Sequence, residues 1–404
     1  MIAATVPVQR PPDAKLVAID AAGQITHFPR SNFPNLLRAG DVVIANDAAT
    51  VPASLFGIHI RTGATIEVRL AGRRSLEPEA VRHFSAIVFG EGNYRTPTEH
   101  RQSPPELRPG DGLRLGSLRA SVVCLLDHPR LVLLSFEGSS EEIWRGIVRH
   151  GRPIQYAHVP VPLEIWDTWT AIAGPLAAYE PPSASFILNW STLDLMIRRG
   201  VYFGTVTHAA GISSTGDPKL DARLPFDEPY RIPQSTTRLV QGARERGGRV
   251  IAIGTTVVRA LEQAVGTDGV LRAGEGLATQ RISRETRLRI VDAVFSGTHE
   301  PGTSHYELLR AFVSNEVLEN MNKELEEHSY RTHEFGDSIF FERMNLAGAN
   351  VNSKKSEGCG TLGLPTQFAN NGRKYRRSTL RKSLNPRQLS TIFSFDSAYS
   401  RMVP

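Results

Sequence analysis

Polar side chains that could bind an anion follow one of the apolar runs of this sequence. Gly254, Thr255 and Thr256 come directly after the run Val250 to Ile253, and a segment of helical period that carries Arg259 begins there. A glycine lets the backbone turn tightly without a Cβ clash, and either threonine can cap the following helix. The free N–H groups of a helix N-terminus suit a carboxylate or a phosphate. The stretch predicts either an anion-binding helix N-terminus or a capped helix without a ligand.

Two histidines are the candidate proton-transfer groups. His208 ends the apolar stretch VYFGTVTH, and His299 stands directly before the turn at Pro301-Gly302. Histidine titrates close to neutral pH, so either residue could accept or donate a proton. A single histidine at the end of a strand is also common as a structural residue, and both interpretations remain open.

Motifs of the common nucleotide-dependent and metal-dependent enzymes are missing from the sequence. There is no GxGxxG after a strand and no Walker A lysine, and no GxSxG nucleophile elbow. The 12 histidines form neither HExxH nor a Cys/His cluster, so no metal site is predicted. The two cysteines, Cys124 and Cys359, lie far apart, which argues against a disulfide scaffold and favours a reducing cytoplasm.

The positive charge of the chain is concentrated near its C-terminus. Residues 344–404 contain 10 Lys+Arg against 2 Asp+Glu, whereas residues 1–343 contain 37 against 39. The body is therefore not a uniformly basic nucleic-acid binder, and the basic segment is expected to be disordered. Neither a signal peptide nor an apolar run of the ~18 residues that a membrane helix needs is expected.

The elements that would position these side chains follow from changes in periodicity. KLVAID and ITHF flank Gly23 and predict a hairpin, and LLRAGDVVIAND predicts a buried strand that ends at Asn46-Asp47. Between about residues 60 and 150, short alternating segments such as ATIEVRL predict a small antiparallel barrel or sandwich. After residue 150, strands alternate with helices, which predicts an α/β fold with some parallel pairing.

The last third of the α/β region contains two further predicted helices and a final strand. SHYELLRAF opens with Ser304 and has Glu307 three residues later, the pattern of a capping box. NEVLENMNKELEEH is typical of an amphipathic helix, and FGDSIFF predicts a strand. His299 would then lie in the loop before the first of these helices.

These stretches together resemble the S-adenosylmethionine:tRNA ribosyltransferase-isomerase family of queuosine biosynthesis. The similarity covers about residues 15–343, and it rests on the order of its blocks rather than on any single one. The blocks are KLVAID, GQITHF, LLRAGDVVIANDAATVPASLFG, GRVIAIGTTVVRALE, HEPGTSHYELLRAF and YRTHEFGDSIFF.

The resemblance implies a fold, a reaction and a location. The fold would be a mixed α/β domain, residues 1–59 and 151–343, interrupted by a small antiparallel β-barrel domain at residues 60–150 and followed by the tail at 344–404. The reaction would transfer and isomerise the ribosyl part of S-adenosylmethionine onto 7-aminomethyl-7-deazaguanine in the wobble position of a tRNA. The product would be epoxyqueuosine, with adenine and methionine released. No metal and no membrane are implied, and the expected location is cytoplasmic.

The matching positions give the candidate site residues. Three are expected to be catalytic: His208, His299 and Asp337. Five are expected to bind substrate: Glu228, Gly254, Thr255, Thr256 and Arg259. An ion pair of Arg259 with Glu262 or another acid is the alternative to an anion-binding role.

Several positions depart from the family pattern, and they keep two rival hypotheses open. Ser185 and Ile187 stand where the family has Gly and His, and Ala49 and Ser54 stand where it has arginines. One rival is a paralogue of the same fold that acts on another nucleoside or small molecule. The other is a non-catalytic RNA-binding protein whose basic tail supplies the affinity.

Overall fold

The computed structural model of this protein describes residues 1–344. The predicted disordered segment, residues 344–404, lies outside the described residues except for Met344. Within the described part, no helix has both the length and the apolar character needed to cross a bilayer.

The strands of residues 1–344 are, in chain order, β1 (Ile2–Ala3), β2 (Lys15–Ile19), β3 (Ile25–Pro29), β4 (Val42–Asn46), β5 (Ala49–Thr50), β6 (Ser54–His59), β7 (Thr65–Gly72), β8 (His83–Phe89), β9 (Gly112–Leu115), β10 (Leu118–His128), β11 (Leu131–Phe136), β12 (Gly151–Arg152), β13 (Leu176–Ala178), β14 (Tyr202–His208), β15 (Glu228–Ile232), β16 (Val250–Ile253), β17 (Gly274–Ala278), β18 (Ala293–Gly297), β19 (Arg331–Thr332) and β20 (Ser338–Glu342).

The α-helices of the same residues are α1 (Ser140–His150), α2 (Trp190–Arg198), α3 (Pro218–Asp221), α4 (Gln234–Glu245), α5 (Thr255–Ala264), α6 (Ser304–Leu309) and α7 (Asn315–Glu327). Short 3₁₀ helices are formed by Arg30–Leu36, Pro78–Arg82, Thr98–His100, Ile165–Thr168 and Ser183–Ile187.

The main sheet contains nine strands in the spatial order β17-β15-β14-β4-β16-β18-β20-β2-β3. Its centre, β14-β4-β16-β18, is parallel, whereas the β14–β15, β15–β17, β18–β20 and β2–β3 pairs are antiparallel. The chain leaves this sheet after β4 and returns through β14, the neighbour of β4. The fold class, a mixed α/β domain interrupted by a small antiparallel barrel, is confirmed.

The six strands β6-β7-β8-β11-β10-β9 form the barrel, and pairing of β6 with β9 closes it. The periodicity predicted either a barrel or a sandwich, and the closed sheet shows that the structure is a barrel. Ile143 and Ile147 of α1 pack against the apolar interior. β6 belongs to the barrel although it lies before residue 60, because it pairs with both β7 and β9. The domain borders at 59/60 and 150/151 stay predictions.

Both faces of the main sheet are covered, which explains why its central strands are apolar throughout. Val42 and Ile44 of β4 belong to one core cluster, together with Val258 of α5. The intervening Val43 and Ala45 pack into a second cluster on the opposite face. Successive side chains of a strand point to opposite faces, so a continuous apolar run is what a doubly covered strand requires.

Two local predictions have different outcomes. The hairpin around Gly23 is confirmed, since β2 and β3 pair in antiparallel fashion and Gly23 has a φ of 85°. The capping box at Ser304 is wrong. The N-cap of α6 is Thr303, whose side chain accepts a hydrogen bond from the N–H of Tyr306. The helix begins one residue earlier than the pattern predicts, because Thr303 rather than Ser304 has the extended backbone of an N-cap.

Glu262 of α5 fixes the segment that leads into β18. This buried carboxylate accepts hydrogen bonds from the backbone N–H groups of Arg289, Ile290 and Val291 at 2.8, 2.9 and 2.9 Å. Hydrogen bonds to an ionised acceptor are stronger than neutral ones. The contact therefore holds α5 and β18, the two elements whose ends carry most of the predicted site, in a fixed relation.

Candidate active site

A cavity of about 580 Å³ opens at the carboxyl ends of the parallel strands β14, β16 and β18. This is the edge of an α/β sheet at which ligands bind in general, and the volume falls within the range of about 300–1,000 Å³ typical of small-molecule sites. Its lining includes residues 210–214 after β14, 253–256 after β16 and 296–300 at the end of β18.

The N-terminus of α5 forms part of this lining, but the predicted threonine cap is wrong. The N-cap is Gly254, and no side chain caps it. Gly254 has a φ of 93° and a ψ of 149°, a combination that is essentially restricted to glycine. Thr255 is the first helical residue, and its hydroxyl is hydrogen bonded to Nδ1 of His305 at 2.8 Å. The first N–H groups of α5 therefore have no side-chain partner among the described residues.

A buried carboxylate, Glu228, lies beside this helix end. It forms ion pairs with Arg259 and with Nε2 of His208, the latter at 2.9 Å, and it accepts a hydrogen bond from the N–H of Gly211 at 2.6 Å. Burial opposes ionisation of Glu228, but Arg259 and His208 outweigh it and hold the pKa of this carboxyl below its ordinary value. The group is therefore ionised at neutral pH.

Arg259 is fully engaged by these contacts. Besides Glu228 it donates to the carbonyl oxygens of Ala278 at 2.8 Å and Phe226 at 3.1 Å. Arg259 forms its ion pair with Glu228 and not with Glu262. The structure therefore shows the ion pair with another acid that the sequence left open as the alternative to anion binding. The guanidinium orients Glu228 at the cavity wall.

Of the predicted catalytic residues, only His299 lines the cavity. Its Nε2 shares a hydrogen bond with the hydroxyl of Ser296 at 2.8 Å, and its ring stacks on that of His305 with centroids 4.9 Å apart. Burial and the adjacent His305 hold the pKa of His299 well below its ordinary value, and burial also lowers the pKa of His305. Both imidazoles are neutral at physiological pH.

His208 and Asp337 lie behind the cavity wall. His208 is completely buried and donates from Nδ1 to the carbonyl oxygen of Thr256 at 2.7 Å. The Asp337 carboxylate accepts from the backbone N–H groups of Lys15 at 2.8 Å and Arg331 at 2.7 Å. The cavity thus brings together six of the predicted residues: Glu228, Gly254, Thr255, Thr256, Arg259 and His299.

One wall of the cavity consists of residues that sequence reasoning missed. Glu180 is 9% exposed, and its Oε1 accepts hydrogen bonds from the Tyr156 hydroxyl and from the N–H of Ser213. Burial raises the pKa of Glu180 to about 7. Burial and the neighbouring Glu180 raise the pKa of Tyr156 well above its ordinary value, so its hydroxyl stays protonated. Tyr156, Glu180 and Ser213 stand in no motif, and no signal in the sequence marked them.

A histidine pair extends this wall. The rings of His158 and His333 stack with centroids 4.1 Å apart and an interplanar angle of 16°, and Nε2 of His158 is 3.0 Å from Oε2 of Glu334. Burial and the adjacent His158 lower the pKa of His333. His158 and Glu334 thus form a polar pair at the cavity wall, next to Tyr156 and Glu180.

Within residues 1–344, two groups of side chains bring possible metal-ligand atoms within 4.8 Å of one another, although no metal motif is present in the sequence. They are His27, Glu324 and His328, and His158, His333 and Glu334. Only the second group lies at the cavity. Two histidines that share an ion direct their ring planes at it, whereas the rings of His158 and His333 lie face to face. The arrangement is that of a stacked pair.

Two of the departures from the family pattern, Ser185 and Ile187, lie next to the cavity. The 3₁₀ helix Ser183–Ile187 carries Ser183 and Ala184 in the lining. Ile187 packs into the apolar core beneath them, and Ser185 is buried with its hydroxyl unpaired among the described residues. The Ser54 hydroxyl lies in the barrel and donates to Glu67 at 2.8 Å.

Comparisons with known proteins give one consistent result. The model of the family described as "Queuosine biosynthesis protein" matches residues 1–341. The chain is 30% identical over 357 residues to the S-adenosylmethionine:tRNA ribosyltransferase-isomerase of Sorangium cellulosum, covering 82% of this chain and 93% of that protein. It is 29% identical over 342 residues to the enzyme of the same name from Gloeobacter violaceus, covering 81% of this chain and 88% of that protein.

A solved structure is also similar. The crystal structure of S-adenosylmethionine tRNA ribosyltransferase from Thermotoga maritima aligns with a TM-score of 0.44 at 22% identity, covering 84% of this chain and 96% of that one.

Proposed function

The chain belongs to the family of queuosine biosynthesis proteins, and we propose that it is an S-adenosylmethionine:tRNA ribosyltransferase-isomerase, as its relatives are named. The reaction transfers and isomerises the ribosyl part of S-adenosylmethionine onto 7-aminomethyl-7-deazaguanine in the wobble position of a tRNA. Epoxyqueuosine is formed, and adenine and methionine leave. S-Adenosylmethionine is a substrate here and not a resident cofactor.

The observation that supports this proposal most directly is the cavity at the N-terminus of α5. Its volume of about 580 Å³ suits a small-molecule ligand, and the uncapped N–H groups of Thr255 and Thr256 suit a carboxylate or a hydroxylated nucleoside group. Glu228 beside them is paired with Arg259 and gives this part of the cavity a polar wall. S-Adenosylmethionine carries a carboxylate, a nucleoside and a sulfonium cation in one molecule.

The proposed roles of the predicted residues follow from their positions. Gly254, Thr255 and Thr256 bind the ligand, and Glu228 presents a negative charge that Arg259 and His208 hold in place. His299 touches the ligand as a neutral imidazole, which is the form that can accept a proton. Asp337 positions the adjoining backbone at Lys15 and Arg331.

The reaction can be tested with the purified chain, S-adenosylmethionine and a tRNA that carries 7-aminomethyl-7-deazaguanine at the wobble position. We expect epoxyqueuosine in the nuclease digest by mass spectrometry, together with one adenine and one methionine per modified tRNA. The matched control is the same tRNA with guanine at that position, which should give no product. Absence of epoxyqueuosine from a folded preparation that binds this tRNA would contradict the proposal.

A second function is favoured by the departures from the family pattern at Ser185 and Ile187, where the family has Gly and His. It is that of a paralogue that uses the same fold on another nucleoside or small molecule. Calorimetry separates the two functions: binding of S-adenosylmethionine without any product on tRNA supports the paralogue. The rival RNA-binding hypothesis depends on the basic tail, which lies outside the described residues.

A further inference from the structure

Glu180 and Glu262 are buried carboxylates of residues 1–344 that form no ion pair, but backbone N–H groups occupy both oxygens of Glu262. Glu67 pairs with Arg69 and Arg101 in the barrel, and Glu228 pairs with Arg259. No Lys, Arg or His side chain in the described part of the chain forms an ion pair with Glu180. A buried carboxyl group without a counter-charge is costly to ionise unless hydrogen bonds satisfy its oxygens. When such a group lies in a cleft, it is a candidate for a functional group.

The hydrogen bonds of Glu180 leave one of its oxygens available. The Tyr156 hydroxyl and the N–H of Ser213 both donate to Oε1, the latter at 2.9 Å. Oε2 accepts no hydrogen bond from residues 1–344, and Glu180 lines the cavity. The side chain is thus held by one oxygen while the other is open to a ligand. A general base needs this combination of fixed geometry and a free lone pair.

Protonation of Glu180 is balanced near neutral pH. Burial raises the pKa of Glu180 to about 7, and the adjacent Glu334 contributes in the same direction. The two forms are then both populated at physiological pH, which is the best condition for proton transfer. Glu228, by contrast, is paired with Arg259 and stays ionised, so it is a poorer proton acceptor.

We propose that Glu180 is the base that removes a proton from C5′ of S-adenosylmethionine, an inference that rests on the proposed function. The Oε2 lone pair forms a bond to the C5′ hydrogen, and the electron pair of the C–H bond stays on C5′, where the adjacent sulfonium stabilises it. Glu180 becomes a neutral carboxylic acid, and no oxidant or reductant is needed.

Tyr156 is the positioning residue of this base. Its hydroxyl donates to Oε1 of Glu180 and itself accepts from the N–H of Ser214 at 3.3 Å. Its ring lies parallel to that of His158, at 11° and a centroid distance of 6.2 Å. Removing the hydroxyl would withdraw a donor from the carboxylate form of Glu180, so the base would titrate at higher pH.

Hydrogen exchange at C5′ tests the proposal without requiring turnover. The full-length protein is incubated with S-adenosylmethionine in D₂O, and proton NMR follows the loss of the C5′ signals. We expect exchange by the wild type and a loss of ~10²–10⁴-fold in Glu180→Gln, the usual contribution of a general base. Calorimetry should show S-adenosylmethionine binding within about threefold of the wild type, because the glutamine keeps the shape of the side chain.

Three further variants sharpen this test. Glu327→Gln removes an exposed carboxylate on α7 and should exchange like the wild type. Tyr156→Phe should retain exchange but shift its pH profile upward. Glu180→Asp keeps a carboxylate and should recover part of the rate, which separates loss of the base from a folding defect.

The outcomes separate failure of this inference from failure of the proposed function. Wild-type exchange in Glu180→Gln overturns the assignment while leaving the function intact. If Glu180→Gln binds S-adenosylmethionine more weakly but exchanges at the wild-type rate when saturated, Glu180 has a binding role and the assignment as base is overturned. A wild-type protein that neither binds S-adenosylmethionine nor forms epoxyqueuosine overturns the proposed function and this inference with it.

Discussion

At the scale of single residues, the cavity wall combines two buried carboxyl groups whose pKa values are shifted in opposite directions. Arg259 and His208 keep Glu228 ionised, whereas Glu180 has only neutral donors. The difference arises from partners and not from burial, because both side chains are at most 9% exposed. Environments that separate the pKa values of two acids in this way are typical of sites that need one fixed charge and one transferable proton.

The pair of Glu228 and Arg259 makes a prediction for stability. Arg259→Ala leaves Glu228 as a buried charge with only His208 beside it, so we expect the free energy of unfolding to fall by about 3–5 kcal/mol. Urea denaturation at pH 7 measures the change. The double variant Glu228→Gln/Arg259→Met is the control, and it should recover part of the loss because no unpaired charge remains. A loss below about 1 kcal/mol in the single variant would show that the pair is not needed.

At the scale of elements, the turn from β16 into α5 places the helix N-terminus at the cavity. Gly254 donates its N–H to the carbonyl oxygen of Phe295 on β18 at 2.7 Å and then turns at a φ of 93°. The side chain of Thr255 reaches His305 on α6, so the first turns of two helices are joined. Thr255 is the first helical residue and the N-cap Gly254 has no side chain, which leaves the first N–H groups of α5 for a ligand.

Gly254→Ala tests how strictly this turn needs glycine. The added Cβ would meet the Cβ of Ala184 at 3.5 Å, an ordinary contact, so the cost comes from the backbone angle alone. We expect a loss of about 1–3 kcal/mol in the free energy of unfolding and weaker binding of S-adenosylmethionine. Gly297→Ala is the matched control for stability, since no positive φ and no contact closer than 4.0 Å oppose its Cβ. Equal stability of the two variants would contradict the strain at Gly254.

At the scale of the whole molecule, stability and the site are linked through protonation. Glu67 in the barrel is buried, but Arg69 and Arg101 outweigh that burial and lower its pKa, so its contribution to stability is lost as the pH falls below the ordinary range. Glu180 has the opposite effect on how stability depends on pH, because its pKa is raised. Folding raises its pKa from 4.5 to about 7, so the folded chain holds a proton that the unfolded chain has released between these values.

Stability should therefore fall as the pH rises through this window. Below about pH 4.5, Glu180 is protonated in both the folded and the unfolded chain and does not lower stability. Above about pH 7 its full destabilising effect is present, and it amounts to about 3 kcal/mol at 1.36 kcal/mol per pH unit. Urea denaturation of the wild type and Glu180→Gln at pH 5 and pH 8 measures it. We expect the variant to lose less stability than the wild type over this interval. Parallel curves would mean that Glu180 ionises normally in the folded protein.

The sequence by itself determined those features that depend on neighbouring residues along the chain. The apolar run into Gly254, the hairpin at Gly23 and the alternation of strands with helices predicted local structure correctly, because side-chain period and backbone freedom act over a few residues. The order of the blocks then indicated the family and six residues that line the cavity.

Only the tertiary structure decided which distant side chains share the cavity. Tyr156, Glu180 and Ser213 come from separate segments with no motif, and their proximity follows from how the loops after the barrel pack at the sheet edge. In the folded chain the N-cap of α5 is Gly254 rather than the predicted threonine, and His208 and Asp337 lie behind the cavity wall. The cost of burying a charge depends on the partners that packing supplies, so the protonation state of each acid was decided by the folded chain.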